Sequence, residues 1–308
     1  MGSIVVVWAR RRARPVLLLL CVLCATLLGG CAWLDLKQRQ AALRPTPGRP
    51  AGFEPGSASE QARFRPGDQR WTLQVPAAEP SGGVPQTEAL ALWWLPHANP
   101  DAPTLLYLHG TFRNLYQNLS KINALREAGF AVLAVDYRGW GESAAIVPSE
   151  SSIDADARVA WAELVRRQPL AQRRVVFGHS MGGAVAVTLA STLHGGRDYA
   201  ALVLESTFTR MPDVAAVGGF WGRLAAAVTT LQFDSLSRIG RIDAPLLMLH
   251  GTADRTVPID LGRRLRDAAP PGVRWVEVPG GSHSRLHTEA PERYRQAFHE
   301  LMPTLAKP

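Results

Sequence analysis

Short apolar runs alternate with amphipathic segments along most of the chain. Two runs near the start of this pattern, at 71–75 and 89–95, flank a Ser-Gly-Gly turn and predict a pair of antiparallel strands. Later apolar runs predict six further strands, at 104–108, 131–135, 174–177, 201–204, 245–249 and 274–278. Helical patterns lie between them, at 115–128, 153–167, 181–193, 259–268 and 291–301. The alternation predicts an α/β domain, with a mostly parallel sheet of about eight strands and helices on both faces.

In such a sheet, right-handed crossovers bring the carboxyl ends of the parallel strands to one edge, where functional sites form. Residues 207–240 interrupt the pattern, because they have few strand signals and carry four aromatic residues: Phe208, Phe220, Trp221 and Phe233. We expect this segment to form a small lid inserted after the sixth strand. The alternative is a set of ordinary connecting helices whose aromatic side chains belong to the core.

The first residues have the pattern of an export signal. Four arginines lie between residues 10 and 14, an apolar run covers 16–28, and Leu28-Gly29-Gly30-Cys31 follows. A basic segment, a short apolar run and small residues at a cleavage site are typical of a secretory signal peptide. The apolar run is shorter than the roughly 20 residues that a membrane-spanning helix needs. We therefore predict residues 1–30 as a signal peptide.

The four residues that end in Cys31 resemble a bacterial lipobox, in which the cysteine becomes the lipidated end of the mature chain. The resemblance implies a membrane-anchored lipoprotein of the cell envelope, and Ala32 favours the outer membrane, or the periplasmic face, if the source is Gram-negative. Cys21 and Cys24 would leave with the signal, so we expect no disulfide in the mature domain. An uncleaved N-terminal anchor and a fully secreted protein are the alternatives.

The segment before the first predicted strand is rich in proline, glycine and alanine, above all between residues 44 and 68. Such a composition is typical of a spacer that is stiff where the prolines cluster. We predict residues 31–68 as lipid anchor and linker, and residues 69–308 as one α/β domain that includes the lid.

The net charge of +8 does not predict nucleic-acid binding. Residues 1–30 hold four arginines and no acid, and the rest of the chain, at about +4, has no long basic run. A mildly basic surface favours contact with an anionic membrane face instead. The sequence has no metal-ligand spacing and no dinucleotide-binding loop, so we expect neither a metal nor a cofactor. It does not indicate an oligomeric state.

The segment Gly178-His179-Ser180-Met181-Gly182 fits the pattern Gly-x-Ser-x-Gly and carries the main chemical signal. An apolar strand precedes it and a helix rich in small residues follows, so Ser180 lies on a sharp strand-to-helix turn. Glycines let neighbouring backbones approach, and the turn lifts the hydroxyl above the edge of the sheet. Ser180 is the candidate nucleophile, and a serine in a glycine-rich turn is the alternative.

A serine hydroxyl becomes nucleophilic when a base accepts its proton and an acid orients that base. Asp254 lies in the loop after the predicted strand 245–249, and His283 follows the last predicted strand. We predict Asp254 as the acid and His283 as the base. His287 is the alternative base and Glu205 the alternative acid, while His250 has a structural role.

Together these residues resemble the α/β-hydrolase superfamily, over roughly residues 71–305. The segment 136–143, Asp-Tyr-Arg-Gly-Trp-Gly-Glu-Ser, strengthens the resemblance, and 204–208, Leu-Glu-Ser-Thr-Phe, is similar to compact, small-lid serine hydrolases. The pair His109-Gly110 resembles the oxyanion-hole loop of the family, which implies that the N–H groups of Thr111 and Met181 bind the oxyanion. The run Thr-Phe-Arg-Asn after Gly110 departs from the family pattern, so the resemblance predicts the chemistry but not the shape of the pocket.

The resemblance implies acyl transfer by a serine hydrolase that cleaves an ester or thioester, with a small-molecule ester or a lipid as substrate. Each backbone donor of an oxyanion hole typically contributes about 3 kcal/mol to stabilisation of the transition state. An amidase or peptidase and an acyltransferase use the same three side chains. A binding lipoprotein without turnover is the alternative from another functional class.

Overall fold

The structure, a computed structural model, describes residues 29–78 and 86–303. Its eight strands are β1 (Gln69–Pro76), β2 (Thr87–Leu95), β3 (Thr104–Leu108), β4 (Ala131–Asp136), β5 (Arg174–His179), β6 (Ala201–Glu205), β7 (Leu246–Gly251) and β8 (Arg274–Val278). They form one sheet in the order β1-β2-β4-β3-β5-β6-β7-β8. β2 pairs antiparallel with β1 and β4, and all other pairs are parallel. The predicted mostly parallel sheet is confirmed.

Helices cover both faces of this sheet. They are α1 (29–43), α2 (Ala58–Gln61), α3 (Leu115–Glu127), α4 (Glu150–Arg167), α5 (Met181–Ala190), α6 (Met211–Ala216), α7 (Gly219–Val228), α8 (Ile259–Asp267), α9 (Leu286–Glu289) and α10 (Pro291–Leu301). Successive side chains of a strand point to opposite faces, so Leu106 joins the core beneath α4, α5 and α8. Its neighbour Tyr107 joins the core beneath α3 and α10.

The candidate site lies where the strand order changes direction. β3 lies between β4 and β5 in the sheet, so the chain leaves β3 toward one side and later returns to its other side. A crevice forms beyond the carboxyl ends of strands at such a switch point. Leu108, at the end of β3, pairs in register with Gly178 of β5. The loops that follow these two strands therefore meet at this crevice.

Residues 44–68, predicted as part of the linker, contact the domain at several points. Leu43 and Phe53 are buried in the core. The N–H of Gly48 donates to the carbonyl oxygen of Gly141 at 2.6 Å, and the N–H of Gly141 donates to that of Thr46 at 3.0 Å. Composition alone does not predict this packing, because prolines and glycines also form fixed turns when a few neighbouring apolar side chains are buried.

The predicted signal peptide lies outside the described residues except for Gly29 and Gly30, and the Ser-Gly-Gly turn near residue 82 lies outside them entirely. Cys31 is in α1 and is exposed. Among the helices of the described part, none combines the length and the low polarity needed to cross a bilayer.

The segment 207–240 contains α6 and α7, and its four aromatic residues fall into two pairs. Phe208 and Phe233 are buried in the main core, as the alternative of ordinary connecting helices predicts. Phe220 and Trp221 lie on α7 with 73% and 74% of their surface exposed. The role of α7 as a lid stays a prediction.

Candidate active site

Ser180 lies at the turn between β5 and α5 in a strained backbone conformation, with φ of 55° and ψ of −122°. Residues with a Cβ atom rarely adopt a positive φ. Two contacts from the end of β6 hold this turn in place. The N–H of Ser180 donates to the carbonyl oxygen of Glu205 at 2.9 Å, and Thr207 Oγ1 donates to the carbonyl oxygen of Ser180 at 3.0 Å.

Close backbone packing explains the two glycines that flank the serine in the motif. A Cβ atom on Gly178 would lie 2.2 Å from the carbonyl oxygen of Gly182, and one on Gly182 would lie 2.1 Å from that of Leu108. Neither distance permits a side chain. The turn can therefore lie close to β3, and the hydroxyl of Ser180 reaches the crevice.

The structure brings the three predicted side chains together in one chain of hydrogen bonds. His283 Nε2 lies 2.9 Å from Ser180 Oγ, and His283 Nδ1 lies 2.7 Å from Asp254 Oδ2. All three residues are less than a tenth exposed. Both distances are within the range that a general base needs to accept and then return a proton.

The surroundings of Asp254 keep its carboxylate ionised. Its Oδ1 accepts hydrogen bonds from the N–H groups of Thr256 at 2.9 Å and Val257 at 2.8 Å. Burial acts to raise the pKa of Asp254, but hydrogen bonds with His250 and His283 outweigh it and hold the pKa well below its usual value. An ionised Asp254 keeps a proton on His283 Nδ1, which leaves Nε2 free to accept the serine proton.

The alternative acid and base have other partners. His287 Nε2 lies 3.2 Å from Ser120 Oγ, and the Glu205 side chain pairs with Lys121 and Tyr294. His250 lies behind the acid, with Nε2 at 2.9 Å from the carbonyl oxygen of Val257 and 3.4 Å from Asp254 Oδ2.

The loop after β3 brings backbone donors close to Ser180. A Cβ atom on Gly110 would lie 3.0 Å from Ser180 Cβ, and Thr111 lines the cavity at the serine. Within the described part of the chain, the N–H groups of Thr111 and Met181 have no acceptor. Trp140 Nε1 donates to the carbonyl oxygen of Thr111 at 2.8 Å and fixes the loop. Both predicted oxyanion donors are therefore free to bind a ligand atom.

A buried pair beneath this loop was not anticipated from the sequence. His109 Nδ1 donates to the carbonyl oxygen of Gly110 at 2.6 Å, and His109 Nε2 lies 3.4 Å from Asp136 Oδ1. Burial lowers the pKa of His109 to about 4 and raises the pKa of Asp136 to about 8. At neutral pH the loop thus rests on a neutral imidazole and a protonated carboxyl group.

Two further positioning residues also escaped sequence reasoning. His179, the variable residue of Gly-x-Ser, donates from Nε2 to the carbonyl oxygen of His283 at 2.9 Å. Burial holds the pKa of His179 well below its usual value, so its ring is neutral. Thr207 supports the turn at Ser180 from the segment 204–208, which was noted only as a resemblance.

Two adjoining cavities open at the site. The first, of about 20 Å³, lies at Ser180 and His283, and the second, of about 250 Å³, shares Arg113, Asn118 and Ser284 with it. No residue of 207–240 lines either cavity. Within residues 29–78 and 86–303, no group of three His, Cys, Asp or Glu side chains is arranged to hold a metal ion.

Comparison with known proteins identifies relatives and structural neighbours. A family model described as serine aminopeptidase, S33, matches residues 99–238, a stretch that ends before Asp254 and His283. An uncharacterized protein of Mycobacterium tuberculosis is 37% identical over 194 residues, which cover 62% of this chain and 67% of that protein.

A eukaryotic relative and a solved structure extend the comparison. The lysophosphatidylserine lipase ABHD12 of Danio rerio is 32% identical over 197 residues, or 58% of this chain, and the match spans only 50% of that protein. The structure of the esterase Pf2001 from Pyrococcus furiosus has a TM-score of 0.62 at 18% identity and covers 85% of this chain and 97% of that chain. At this identity the likeness shows the fold alone.

Proposed function

We propose that the chain, which has the fold of the α/β hydrolases, is a serine hydrolase that cleaves a carboxylic ester or thioester. A fold supports many reactions, so the proposal must rest on the site. The observation that carries it is the continuous chain of hydrogen bonds from Ser180 Oγ through His283 to the Asp254 carboxylate.

In the proposed reaction, His283 Nε2 accepts the proton of Ser180 Oγ as this oxygen attacks the substrate carbonyl. The ionised Asp254 stabilises the imidazolium that forms. The oxyanion of the tetrahedral intermediate accepts hydrogen bonds from the N–H groups of Thr111 and Met181. His283 then donates its proton to the leaving alcohol or thiol, and an acyl-enzyme remains. Water, activated by His283, releases the acid and returns the proton to the serine.

The family description makes amide cleavage at a peptide N-terminus the second candidate. An aminopeptidase must bind the protonated amine of its substrate, and a buried or half-buried carboxylate is the natural partner for that charge. None of the residues that line the two cavities is acidic. This charge pattern favours an ester over an aminopeptidase substrate.

The test compares the full-length wild type in mild detergent with Ser180→Ala and with Ser237→Ala, a control in an exposed turn. The substrates are p-nitrophenyl esters from acetate to palmitate, and alanine p-nitroanilide. We expect ester hydrolysis to fall by at least about 10³-fold in Ser180→Ala and to persist in the control.

An unchanged rate in Ser180→Ala would contradict the proposal. Cleavage of the anilide alone would favour the aminopeptidase. If no substrate is cleaved and a fluorophosphonate probe leaves Ser180 unlabelled, a binding role replaces catalysis.

We also propose that a lipid on Cys31 holds the chain at a membrane of the cell envelope. The lipobox-like segment before Cys31 supports this proposal, and Cys31, Trp33 and Leu34 are all exposed on α1. Mass spectrometry of the chain expressed in a Gram-negative host tests it. We expect a diacylglycerol-modified Cys31 at the N-terminus, and no modification in Cys31→Ser. An unmodified Cys31 within a longer chain would favour the uncleaved anchor.

A further inference from the structure

The larger of the two cavities beside Ser180 is lined by polar residues alone. Its volume is about 250 Å³, and its cationic residues are Arg113, Lys121 and Arg285. The rest of the lining consists of His287 and of hydroxyl and amide side chains, with no acid. These side chains offer hydrogen-bond donors and positive charge to a polar or anionic ligand group.

Two of the three cations in this cavity make no hydrogen bond to a carboxylate. The Arg113 side chain makes no hydrogen bond or ion pair with any described residue. Arg285 forms only a long ion pair, in which its Nε lies 3.9 Å from Glu289 Oε1, and its side chain is 69% exposed. Glu289 accepts hydrogen bonds from the N–H and hydroxyl of Ser282 instead, both at 2.7 Å.

The other ionisable groups do not cancel this charge. The Lys121 ammonium is matched by the buried carboxylate of Glu205, so this pair is neutral as a whole. Burial lowers the pKa of His287 to about 4, so its ring adds no charge at neutral pH. The cavity therefore carries the unpaired positive charge of Arg113 and the positive charge of Arg285, which Glu289 offsets in part.

We propose that this cavity binds an anionic group of the substrate, a carboxylate or a phosphate, while the scissile carbonyl lies at Ser180. The inference rests on the proposed function and names the substrate class for it. A guanidinium group donates two parallel hydrogen bonds to either kind of anion. The cavity at the serine, of about 20 Å³, has room for the reacting group alone, so the rest of the substrate must extend beyond it.

The position of Arg113 supports this specificity role. Arg113 lines both cavities, and it follows Thr111, the predicted oxyanion donor, by two residues. Asn114, the next residue, is the N-cap of α3 and fixes the end of the loop. The run Thr-Phe-Arg-Asn thus places a guanidinium group beside the reacting centre.

Two substrate pairs test the proposal. The members of each pair differ by one anionic group, and the two pairs distinguish a carboxylate from a phosphate. A carboxylate on the acyl side is tested with mono-p-nitrophenyl glutarate against p-nitrophenyl pentanoate. A phosphate on the alcohol side is tested with 1-oleoyl lysophosphatidate against monooleoylglycerol. For each pair, kcat/KM of the charged substrate is divided by that of the neutral one.

The full-length wild type is compared with Arg113→Gln, Arg285→Gln and Arg113→Lys, and with Arg293→Gln as a control on the exposed side of α10. Because Arg113→Gln removes charge-assisted hydrogen bonds to the anion, we expect the ratio in one pair to fall about tenfold or more in this variant. Arg113→Lys should have a ratio between those of wild type and Arg113→Gln, and Arg293→Gln should have the wild-type ratio. Equal ratios in wild type and Arg113→Gln, in both pairs, would overturn the proposal.

A second measurement needs no turnover and separates this inference from the proposed function. Inorganic phosphate should raise the Tm of the wild type above its value in chloride of equal ionic strength, and this rise should vanish in Arg113→Gln/Arg285→Gln. If no ester is cleaved but the rise in Tm with phosphate depends on the two arginines, the anion site is supported and the hydrolase proposal is wrong. If Ser180-dependent cleavage occurs but the kcat/KM ratios do not change in the arginine variants, the proposed anion site is wrong and the hydrolase proposal is supported.

Discussion

The Lys121 ammonium contacts the Glu205 carboxylate, and both groups are buried beneath the candidate active site. Glu205 also accepts a hydrogen bond from Tyr294 Oη at 2.7 Å, and its main-chain oxygen accepts one from the N–H of Ser180 at 2.9 Å. Burial lowers the pKa of Lys121, and the carboxylate opposes that change. The ion pair therefore joins α3 to β6, and the hydrogen bond from Tyr294 joins α10 to β6, at the point where β6 supports the serine.

Removal of the Lys121 charge alone should destabilise the fold strongly. Lys121→Met leaves the buried Glu205 without its counter-ion, and we expect the free energy of unfolding to fall by about 3–5 kcal/mol. The double variant Lys121→Met/Glu205→Gln buries no charge and should recover much of this loss. Urea unfolding measures the wild type, the double variant and both single variants, Lys121→Met and Glu205→Gln. Losses that simply add in the double variant would show that the two groups are not coupled.

Asp254→Asn should abolish most of the activity with little change of structure. The amide would still accept the backbone N–H groups of Thr256 and Val257, but its NH₂ group would favour the wrong tautomer of His283. A loss of about 10⁴-fold in kcat is expected for this change in a Ser-His-Asp site. The control is Asp243→Asn at an exposed aspartate. A loss below about tenfold would assign the orienting role to another group.

Thr207→Val should loosen the serine turn while keeping the shape of the side chain. It removes the hydrogen bond from Thr207 Oγ1 to the carbonyl oxygen of Ser180. We expect the free energy of unfolding to fall by about 1 kcal/mol. The rate of Ser180 labelling by a fluorophosphonate probe should fall as well, because the turn sets the position of Oγ. Loss of stability at an unchanged labelling rate would limit Thr207 to a structural role.

The pKa of Asp136 predicts an unusual dependence of stability on pH. Its carboxyl has a pKa of about 8 in the folded protein, against about 3.9 when unfolded. Its contribution to stability is therefore complete below about pH 4 and is lost as the pH rises through about 8. Asp136→Asn cannot ionise and avoids this loss.

From pH 5 to pH 7, the free energy of unfolding of Asp136→Asn should rise relative to wild type by roughly 2–3 kcal/mol. Urea unfolding at the two pH values measures this difference. Asp101→Asn, at an exposed aspartate, is the control and should show no comparable change. A constant difference between Asp136→Asn and wild type would mean that Asp136 is already ionised at pH 5.

Local sequence patterns were enough to predict the sheet and the three side chains at its edge. Each apolar run is a strand of the sheet, and Ser180, Asp254 and His283 each follow such a strand within a short glycine-rich loop. Because parallel strands end at the same edge of a sheet, residues that directly follow different strands lie close together in space.

The supporting contacts could not be predicted in this way, because each joins residues that are distant in the sequence. Lys121 in a helical pattern looks like a solvated charge, and only the fold places it against Glu205. Likewise, nothing near Thr207 indicates that its hydroxyl bonds to the backbone of Ser180. For residues 44–68, composition indicates turns and a linker but does not predict that Phe53 is buried in the core.

The exposed apolar side chains of α7 affect the solubility of the protein more than the stability of its fold. Phe220, Trp221 and Leu224 have more than half of their surface exposed, at a helical spacing that forms one apolar stripe. Because these side chains are so exposed, their replacement by serine should change the free energy of unfolding by no more than about 0.5 kcal/mol each. The same replacements remove an apolar patch of the kind that drives self-association in water. Replacements on α7 can thus lower the self-association of the domain without disturbing the core or the serine turn.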